Sequence, residues 1–422
     1  MFKTLGKKKL GQAGSLYTAV VAGIIIGFIS SIITTRILGP EGYGDMKFIQ
    51  NFFQFLSILF AIGIFPSGAL LLTRIGENNE SKRELIGALL IITLILSFFS
   101  IIVSGIFSLF ENRIFNNNVG ALILYFSPLG VIFLFQPCIE YILQGDNQIY
   151  KLSVFRILPG ILYIIFIVLL NLVLHVTIET ALLIQVISGA VVTISIIFAL
   201  KPRYTRFSEN KLLIFETNRQ YGRHVYFGSL SSVATSYLST FMISYFLDNK
   251  QVGYFSLAIT LTLPLMQIPN VIGTTYFKDF AKTDFLPKKV TQISLGLTLV
   301  IVIIFLSIIK PFVLLVYTEK FADVVSLCFF TAFGSASFGM GDYINRFLGA
   351  HGKGKELRNG AFIVGIFNIL GYSLLVMIMG TRGAAATQLL AGIAYLTTMV
   401  YYYRSYKNEK IKSLNIPSNV PN

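Results

Sequence analysis

The chain has 422 residues, of which 55% are hydrophobic and only 13% charged, with a formal net charge of +15 and a mean hydropathy of +0.73. A soluble domain carries about 25% charged residues, and a soluble chain of this length would form roughly two or three such domains. There is too little charge to clothe them, so a soluble enzyme, a nucleic-acid module and a disordered linker protein are excluded, and lipid must solvate most of the chain.

A membrane-spanning helix needs about 20 apolar residues. Twelve stretches qualify: 13–38, 46–73, 85–109, 119–143, 152–174, 178–200, 224–247, 252–277, 290–309, 321–348, 359–379 and 383–403. The expected fold is an all-α integral membrane protein with twelve transmembrane helices in two pseudo-symmetric six-helix bundles. Lys3, Lys7, Lys8 and Lys9 precede the first stretch, but the run is longer than the roughly 7–15 residues of a signal h-region and reads as a retained span. Pro66, Pro128, Pro137, Pro159, Pro264 and Pro269 lie within spans, where proline is expected to interrupt the helical ladder. The longest connector, 201–223, marks the midpoint. The expected organisation is an N-terminal lobe (1–200), a basic cytoplasmic linker (201–223), a C-terminal lobe (224–404) and a cytoplasmic tail (405–422).

Charge sets the orientation. The N-terminus, the C-terminal segment and the connectors after even-numbered spans hold 27 basic and 10 acidic residues; the opposite side holds six and seven. Cytoplasmic loops carry the Lys/Arg excess, so both termini are expected in the cytoplasm. The basic surplus is then topogenic, and no nucleic-acid partner is needed. Cys138 and Cys328 sit far apart in apolar runs, giving neither a disulfide framework nor a metal spacing, and no metal site is expected. Tryptophan is absent, leaving 21 tyrosines to form any interfacial belt.

The halves repeat weakly. Leu38 is followed six residues later by Gly44 and Leu247 by Gly253, an offset of 209 residues; Leu143-Gln144-Gly145 and Leu348-Gly349-Ala350 are offset by 205. An even number of spans per repeat gives parallel copies, the arrangement of alternating-access carriers. Polar residues in spans fall on single faces: Gly23, Gly27, Ser30 and Thr34; Gln50, Gln54 and Ser57; Ser229, Ser232, Ser236 and Ser239; Thr260, Pro264, Gln267, Asn270 and Thr274. These stripes either line a hydrated cavity or let helices pack closely. Gln50, Gln54, Ser232, Ser236, Gln267 and Asn270 are the cavity-lining candidates, since side-chain amides need several partners.

Ionisable residues in spans are expensive and therefore informative. Glu140 has no basic residue one turn away and is the better candidate for ion coupling. Asp342 has Arg346 one turn later, so it is either a second candidate or a locally neutralised pair. Arg36, Arg74, Arg156, Arg219, Arg223, Lys278 and Arg346 are candidates for binding an anionic headgroup, or they fix topology and touch acidic lipids. No GxSxG, HExxH or Walker loop occurs, and outward connectors of about ten residues are too short to fold alone. A transporter is therefore expected rather than an enzyme.

The end of the first span, Thr35-Arg36-Ile37-Leu38-Gly39-Pro40-Glu41-Gly42-Tyr43-Gly44, resembles the RxLGPEGYG signature of polysaccharide biosynthesis membrane proteins. These are the Wzx-type O-antigen flippases of the multidrug/oligosaccharidyl-lipid/polysaccharide exporter (MOP) superfamily. The twelve spans, inward termini and basic 201–223 linker are similar as well. The resemblance implies movement of an undecaprenyl-diphosphate-linked oligosaccharide between leaflets of the bacterial inner membrane. Energy would come from an H+ or Na+ gradient or from removal of product, with no cofactor. Membrane lipids, a polysaccharide polymerase and a chain-length regulator are the implied partners. Many relatives have an Asp-Arg pair in the outer half of span 7 where this chain has Ser239-Thr240, which moves ion coupling to Glu140 and Asp342. A multidrug or cation antiporter of the same fold and a membrane polysaccharide polymerase are the alternative readings.

Overall fold

The structure, a computed structural model, describes the backbone of residues 2–75, 78–115 and 117–414, and side chains from 18 to 412 within these except that of Lys278. The N-terminal lysines and residues 415–422 of the tail therefore lie outside the described side chains. Every regular element among the described residues is helical. Among the described residues, nine helices are long and apolar enough to cross a membrane, or ten when one pair bent by 55° is counted as a single span. The expected count of twelve is not reached by this measure, for local reasons given below.

The chain divides into two compact units. Unit 1 is Met1–Leu230 with Ser244–Gly253; unit 2 is Ser231–Ile243 with Tyr254–Asn422.

Unit 1 holds α1 (Phe2–Ala61), α2 (Ile64–Arg74), α3 (Asn79–Ile114), α4 (Gly120–Phe126), α5 (Val131–Gly145), α6 (Ile149–Val173), α7 (Ile178–Leu200), α8 (Phe207–Thr217) and α9 (Arg223–Ser229). The first two expected spans are one helical run in α1, broken at Gly39, where φ is 69°. The second expected span is cut at Ile62-Gly63, both with positive φ. Pro66 sits in the first turn of α2, where its missing N–H costs nothing. Pro128 lies in the bend between α4 and α5. Contrary to expectation, Pro137 and Pro159 leave the helical assignment of α5 and α6 unbroken, as neighbouring helices in a membrane bundle permit.

α3 is an inside-out helix. Thr93, Ser97, Ser100, Ser104, Ser108 and Glu111 are buried at steps of three or four residues, while Leu94, Phe98, Ile102, Ile106 and Leu109 are exposed. That inversion is what a lipid solvent selects, because hydroxyls face protein and alkyl chains face lipid. Thr93, Ser97, Ser104 and Ser108 each donate to a carbonyl three or four residues back in the same helix. The apolar core of the unit gathers Phe65, Leu72, Leu85, Leu89, Ile139 and Leu143.

Connectors alternate between ends as the charge pattern anticipates. At one end Lys82 meets Asp146 at 2.5 Å, Arg203 pairs with Glu80, and Thr205 donates to Glu84 at 2.7 Å. The connectors after α2, α5 and α7 thus come together.

Unit 2 takes most of α10 (Leu238–Phe246) and α11 (Asn249–Thr275), with α12 (Phe277–Phe280), α13 (Lys288–Val316), α14 (Val324–Ala350), α15 (Gly354–Met379) and α16 (Thr381–Leu414). The expected span 224–247 is not one helix. π-helical turns at Asn218–Gly222 and Leu230–Ala234 flank α9. Thr235 donates to the Ser231 carbonyl and Ser236 to that of Val233; such back-bonding competes with the ladder and bends helices. Pro264 and Pro269 lie within α11, which is assigned as continuous helix. The core is aromatic: Phe280, Tyr343, Phe347 and Tyr395 are buried together. At one end Lys410 meets Asp284 at 2.9 Å, Lys353 meets Glu409 at 3.2 Å, and His351 bonds the Thr283 carbonyl at 3.0 Å.

Candidate functional site

Three polar constellations stand out, two in unit 1 and one in unit 2. The first follows the break between α1 and α2. The Asn218 amide donates to the Ile62 carbonyl at 3.1 Å and the Tyr226 hydroxyl to the Leu59 carbonyl at 3.1 Å. Carbonyls freed by the break are thereby satisfied from the α8–α9 region. Beside it lies a cavity of about 110 Å³, lined by residues that include Ser57, Pro66, Pro137, Tyr141, Tyr226 and Ser229. Ligand pockets run to about 300–1,000 Å³, so this crevice is too small for a whole oligosaccharide.

Immediately before Tyr141 in the sequence, the Glu140 carboxylate receives Arg156 Nε at 2.9 Å and its Nη2 at 3.2 Å. Glu140 was singled out for having no cation one turn away. Its cation instead comes from the next helix, 16 residues on, where a search along one helix face does not look. Both side chains are about one-third exposed. Exposed pairs contribute about 0–1 kcal/mol, so Arg156→Ala is expected to change stability by less than about 1 kcal/mol, read by thermal unfolding in detergent. Any larger loss of transport in that variant then reports a role beyond folding.

The second constellation closes the other end of unit 1. Asn249 Nδ2 donates to Asp45 Oδ1 at 2.7 Å, Ser244 Oγ to Asn249 Oδ1 at 2.7 Å, and Asn117 Nδ2 to Ser244 Oγ at 2.6 Å and Asn249 Oδ1 at 3.1 Å. The backbones here nearly touch. A Cβ on Gly44 would lie 1.7 Å from the Asn249 carbonyl oxygen, and one on Gly253 would lie 2.9 Å from that of Pro40. The Gly39–Gly44 stretch of the sequence signature is therefore the surface on which residues 249–253 rest. Close by, Lys47 Nζ donates to Gln50 Oε1 at 3.1 Å, and Gln50 Nε2 to Gln185 Oε1 of α7 at 2.5 Å.

In unit 2, Arg346 Nη2 donates to Asn270 Oδ1 at 3.3 Å, joining a headgroup candidate to a cavity candidate. Asp342 accepts from the Tyr395 hydroxyl at 3.0 Å, and that hydroxyl accepts from Asn345 at 2.9 Å. No Asp342–Arg346 ion pair within 4 Å forms among the described residues. Spacing of four along a helix permits the pair, but Tyr395 and Asn270 take the two partners instead.

The remaining candidates divide as follows. Arg36, Arg74, Arg219, Arg223 and Arg346 are exposed, and the Lys278 side chain lies outside the described residues. Gln54, Ser232, Ser236 and Gln267 are half-buried. Gln50 is buried within unit 1, where its amide bonds Gln185 of α7. Thr34 is likewise buried, bonded to Tyr163 of α6 at 2.8 Å, which favours packing over a wet face at that position. Glu111, tallied with the outer connector, is fully buried; the serine stripe leading to it along α3 was readable in the sequence and signals an inward face. Among the described residues, no group of three or more His, Cys, Asp or Glu could hold a metal ion.

This is the helical architecture of a multi-pass membrane protein, and the solved structures place it more closely. A structure described as the lipid II flippase MurJ in an inward closed conformation aligns at a TM-score of 0.74 and 17% identity, over 96% of this chain and 93% of that one. An inward-facing multidrug resistance MATE family transporter of the MOP superfamily aligns at 0.70 and 15%, over 92% and 96%. A MOP superfamily transporter from Pyrococcus furiosus aligns at 0.60 and 14%, over 95% of each chain. At such identities the likeness is one of fold, shared with structures described as a lipid II flippase and as MOP superfamily transporters. No curated protein matches. The sequence model of the family described as "Polysaccharide biosynthesis protein" matches residues 10–283. The chain belongs to that family.

Proposed function

We propose that the protein is a flippase. It carries an undecaprenyl-diphosphate-linked oligosaccharide, the repeat unit of O-antigen or another surface polysaccharide, across the bacterial inner membrane by alternating access. The observation that carries this reading is the polysaccharide biosynthesis match over residues 10–283 on a fold shared with a lipid II flippase. Chemistry supports it. Arg74, Arg156, Arg219, Arg223 and Arg346 keep their guanidinium groups at least partly exposed, as capture of a diphosphate requires. Half-buried Gln54, Gln267 and Asn270 offer amides of the kind that bond sugar hydroxyls. Flipping breaks no bond, and no GxSxG, HExxH or Walker loop occurs in the sequence.

Both termini face the cytoplasm in this reading. Neither Glu140 nor Asp342 is alone with its charge, so coupling to H+ or Na+ through either would require Arg156 or Tyr395 to let go. A polymerase and a chain-length regulator are the partners that would consume the product. The test is a deletion strain: lipid-linked repeat units accumulate in the inner leaflet and surface polysaccharide is lost. Unchanged polysaccharide export contradicts the reading, and loss of drug resistance instead supports the antiporter alternative, which the MATE neighbour favours.

A further inference from the structure

In unit 2, α15 and α16 leave an open groove on their outer face. It holds about 230 Å³ and is lined by residues that include Ile366, Leu370, Gly371, Leu374, Thr387 and Leu390. Ile366, Leu370, Leu374 and Leu390 are exposed. Gly371 brings the two helices into contact here, since a Cβ on it would lie 2.4 Å from Thr387 Cγ2. The Thr387 hydroxyl donates to the Gly383 carbonyl at 2.8 Å. The lining therefore has no side-chain polar group to spare, and what it takes is hydrocarbon, because a polar occupant would lose its water without replacement.

From the groove an exposed stripe runs along α16 through Leu390, Ile393, Thr397, Tyr401 and Arg404, at steps of three or four residues. The Thr397 hydroxyl is spent on the Ile393 and Ala394 carbonyls, so the stripe is apolar as far as Tyr401, a ring suited to the membrane–water interface. Beyond it lies a cluster of cations. α15 meets α16 through Lys353–Glu409 at 3.2 Å and Asn359–Tyr402 at 3.1 Å. Between these contacts stand Lys355 and Arg358 on α15 and Arg404 and Lys407 on α16, all exposed. The acids of this end are engaged elsewhere: Glu356 and Glu409 face Lys353, and Asp284 faces Lys410. None of the four cations forms an ion pair among the described residues. Arg404 and Leu390 are 14 residues apart on one helix, which is about 21 Å at about 1.5 Å per residue. Half a bilayer with its headgroup layer is about 20–22 Å. A lipid whose charge sits at Arg404 therefore ends its chain in the groove.

We propose that this face of α15 and α16 binds one phospholipid with an anionic headgroup. Lys355, Arg358, Arg404 and Lys407 attract the headgroup, and a chain follows the α16 stripe into the groove. The orientation proposed above sets this end in the cytoplasmic leaflet, whose surface is negative. The stripe and the groove carry no side-chain amide, so an oligosaccharide finds no partner along them. Their length matches the depth of one leaflet, which suits a diacyl lipid rather than a longer polyprenyl chain. The site stands apart from the choice of transported substrate.

The chain has no tryptophan, so one placed on the stripe is a sole reporter. The full chain carrying Ile393→Trp is reconstituted in phosphatidylcholine vesicles with a minor fraction of chain-brominated phosphatidylglycerol, and Phe98→Trp, at an exposed position of α3, is the control. Brominated phosphatidylglycerol is expected to quench Ile393→Trp more strongly than equally brominated phosphatidylcholine does, and to show no such preference at Phe98→Trp. Adding Arg404→Gln is expected to lower the preference about fivefold, the worth of one cation near an anionic surface, and adding Lys355→Gln to lower it further. High salt weakens it as well. Should Ile393→Trp fail to fold, native mass spectrometry of the wild type decides the matter: one phosphatidylglycerol is retained from detergent and lost in Arg404→Gln. Equal quenching of Ile393→Trp by the two brominated lipids, a preference unchanged by Arg404→Gln with Lys355→Gln, or displacement of phosphatidylglycerol by undecaprenyl phosphate at equal concentration overturns the proposal.

Discussion

Gly44→Val is expected to destabilise the protein by about 3 kcal/mol, the upper end of the range for overpacking a well-filled site. The atom that the new Cβ would meet is the Asn249 carbonyl oxygen, 1.7 Å away. It is backbone, so no side-chain rotation relieves the clash. Residues 249–253 must lift from α1, and the bonds from Asn249 to Asp45 and from Ser244 to Asn249 are lost with them. Thermal unfolding in detergent measures the loss, and faster hydrogen exchange at 244–253 locates it. Gly23→Ala is the control. Nothing lies within 4 Å of a Cβ there, and alanine in a helix interior is favoured over glycine by up to about 1 kcal/mol. Equal stability of Gly44→Val and wild type would contradict the packing described.

Arg346→Ala is expected to lower transport of a diphosphate-linked substrate about tenfold or more while moving stability by no more than about 0.5 kcal/mol. An exposed side chain contributes little to folding. A charge-assisted bond to a phosphate is worth about 1.5–3 kcal/mol, and each 1.4 kcal/mol is about tenfold in affinity. Asn270, whose Oδ1 accepts from Arg346, orients the guanidinium, so Asn270→Ala should show a smaller loss in the same direction. Arg346→Lys keeps the charge without the planar fork and should recover part of the activity. Transport rate with matched thermal unfolding is the measurement. A parallel fall in both would make Arg346 a structural residue.

Much of the fold was legible because lipid imposes a coarse rule: long apolar runs become helices, and the Lys/Arg bias tells which connectors share an end. Lys82 with Asp146 and Lys410 with Asp284 bear that rule out. Where it failed, a local competitor won. A π-helical turn at Leu230–Ala234 interrupts 224–247, with the Thr235 and Ser236 hydroxyls bonded back to carbonyls beside it. Positive φ at Ile62 and Gly63 cut the second span, while Pro137 and Pro159 did not break theirs.

The site was less legible. Asn270 and Arg346 were both singled out, and 76 residues separate two groups that touch. Glu140 was chosen for lacking a cation, and Arg156 supplied one from the neighbouring helix. Asp342 and Arg346 have ideal spacing yet take other partners. Pairings between helices depend on rotation about each helix axis, which composition does not encode. Glu111 was hidden by its place near a connector, although the stripe Ser97, Ser100, Ser104, Ser108 already pointed its face inward.

The central claim is that the protein moves a polyprenyl-diphosphate oligosaccharide between leaflets. Its most direct test is reconstitution of the full chain in sealed vesicles holding such a lipid with a fluorescent tag on the sugar. A membrane-impermeant reductant added outside should bleach the label of both leaflets when the protein is present, that of the outer leaflet alone when it is absent, and that of the inner leaflet about tenfold more slowly when it carries Arg346→Ala. Bleaching confined to the outer leaflet with the folded wild-type protein, with or without an imposed ion gradient, would contradict the account.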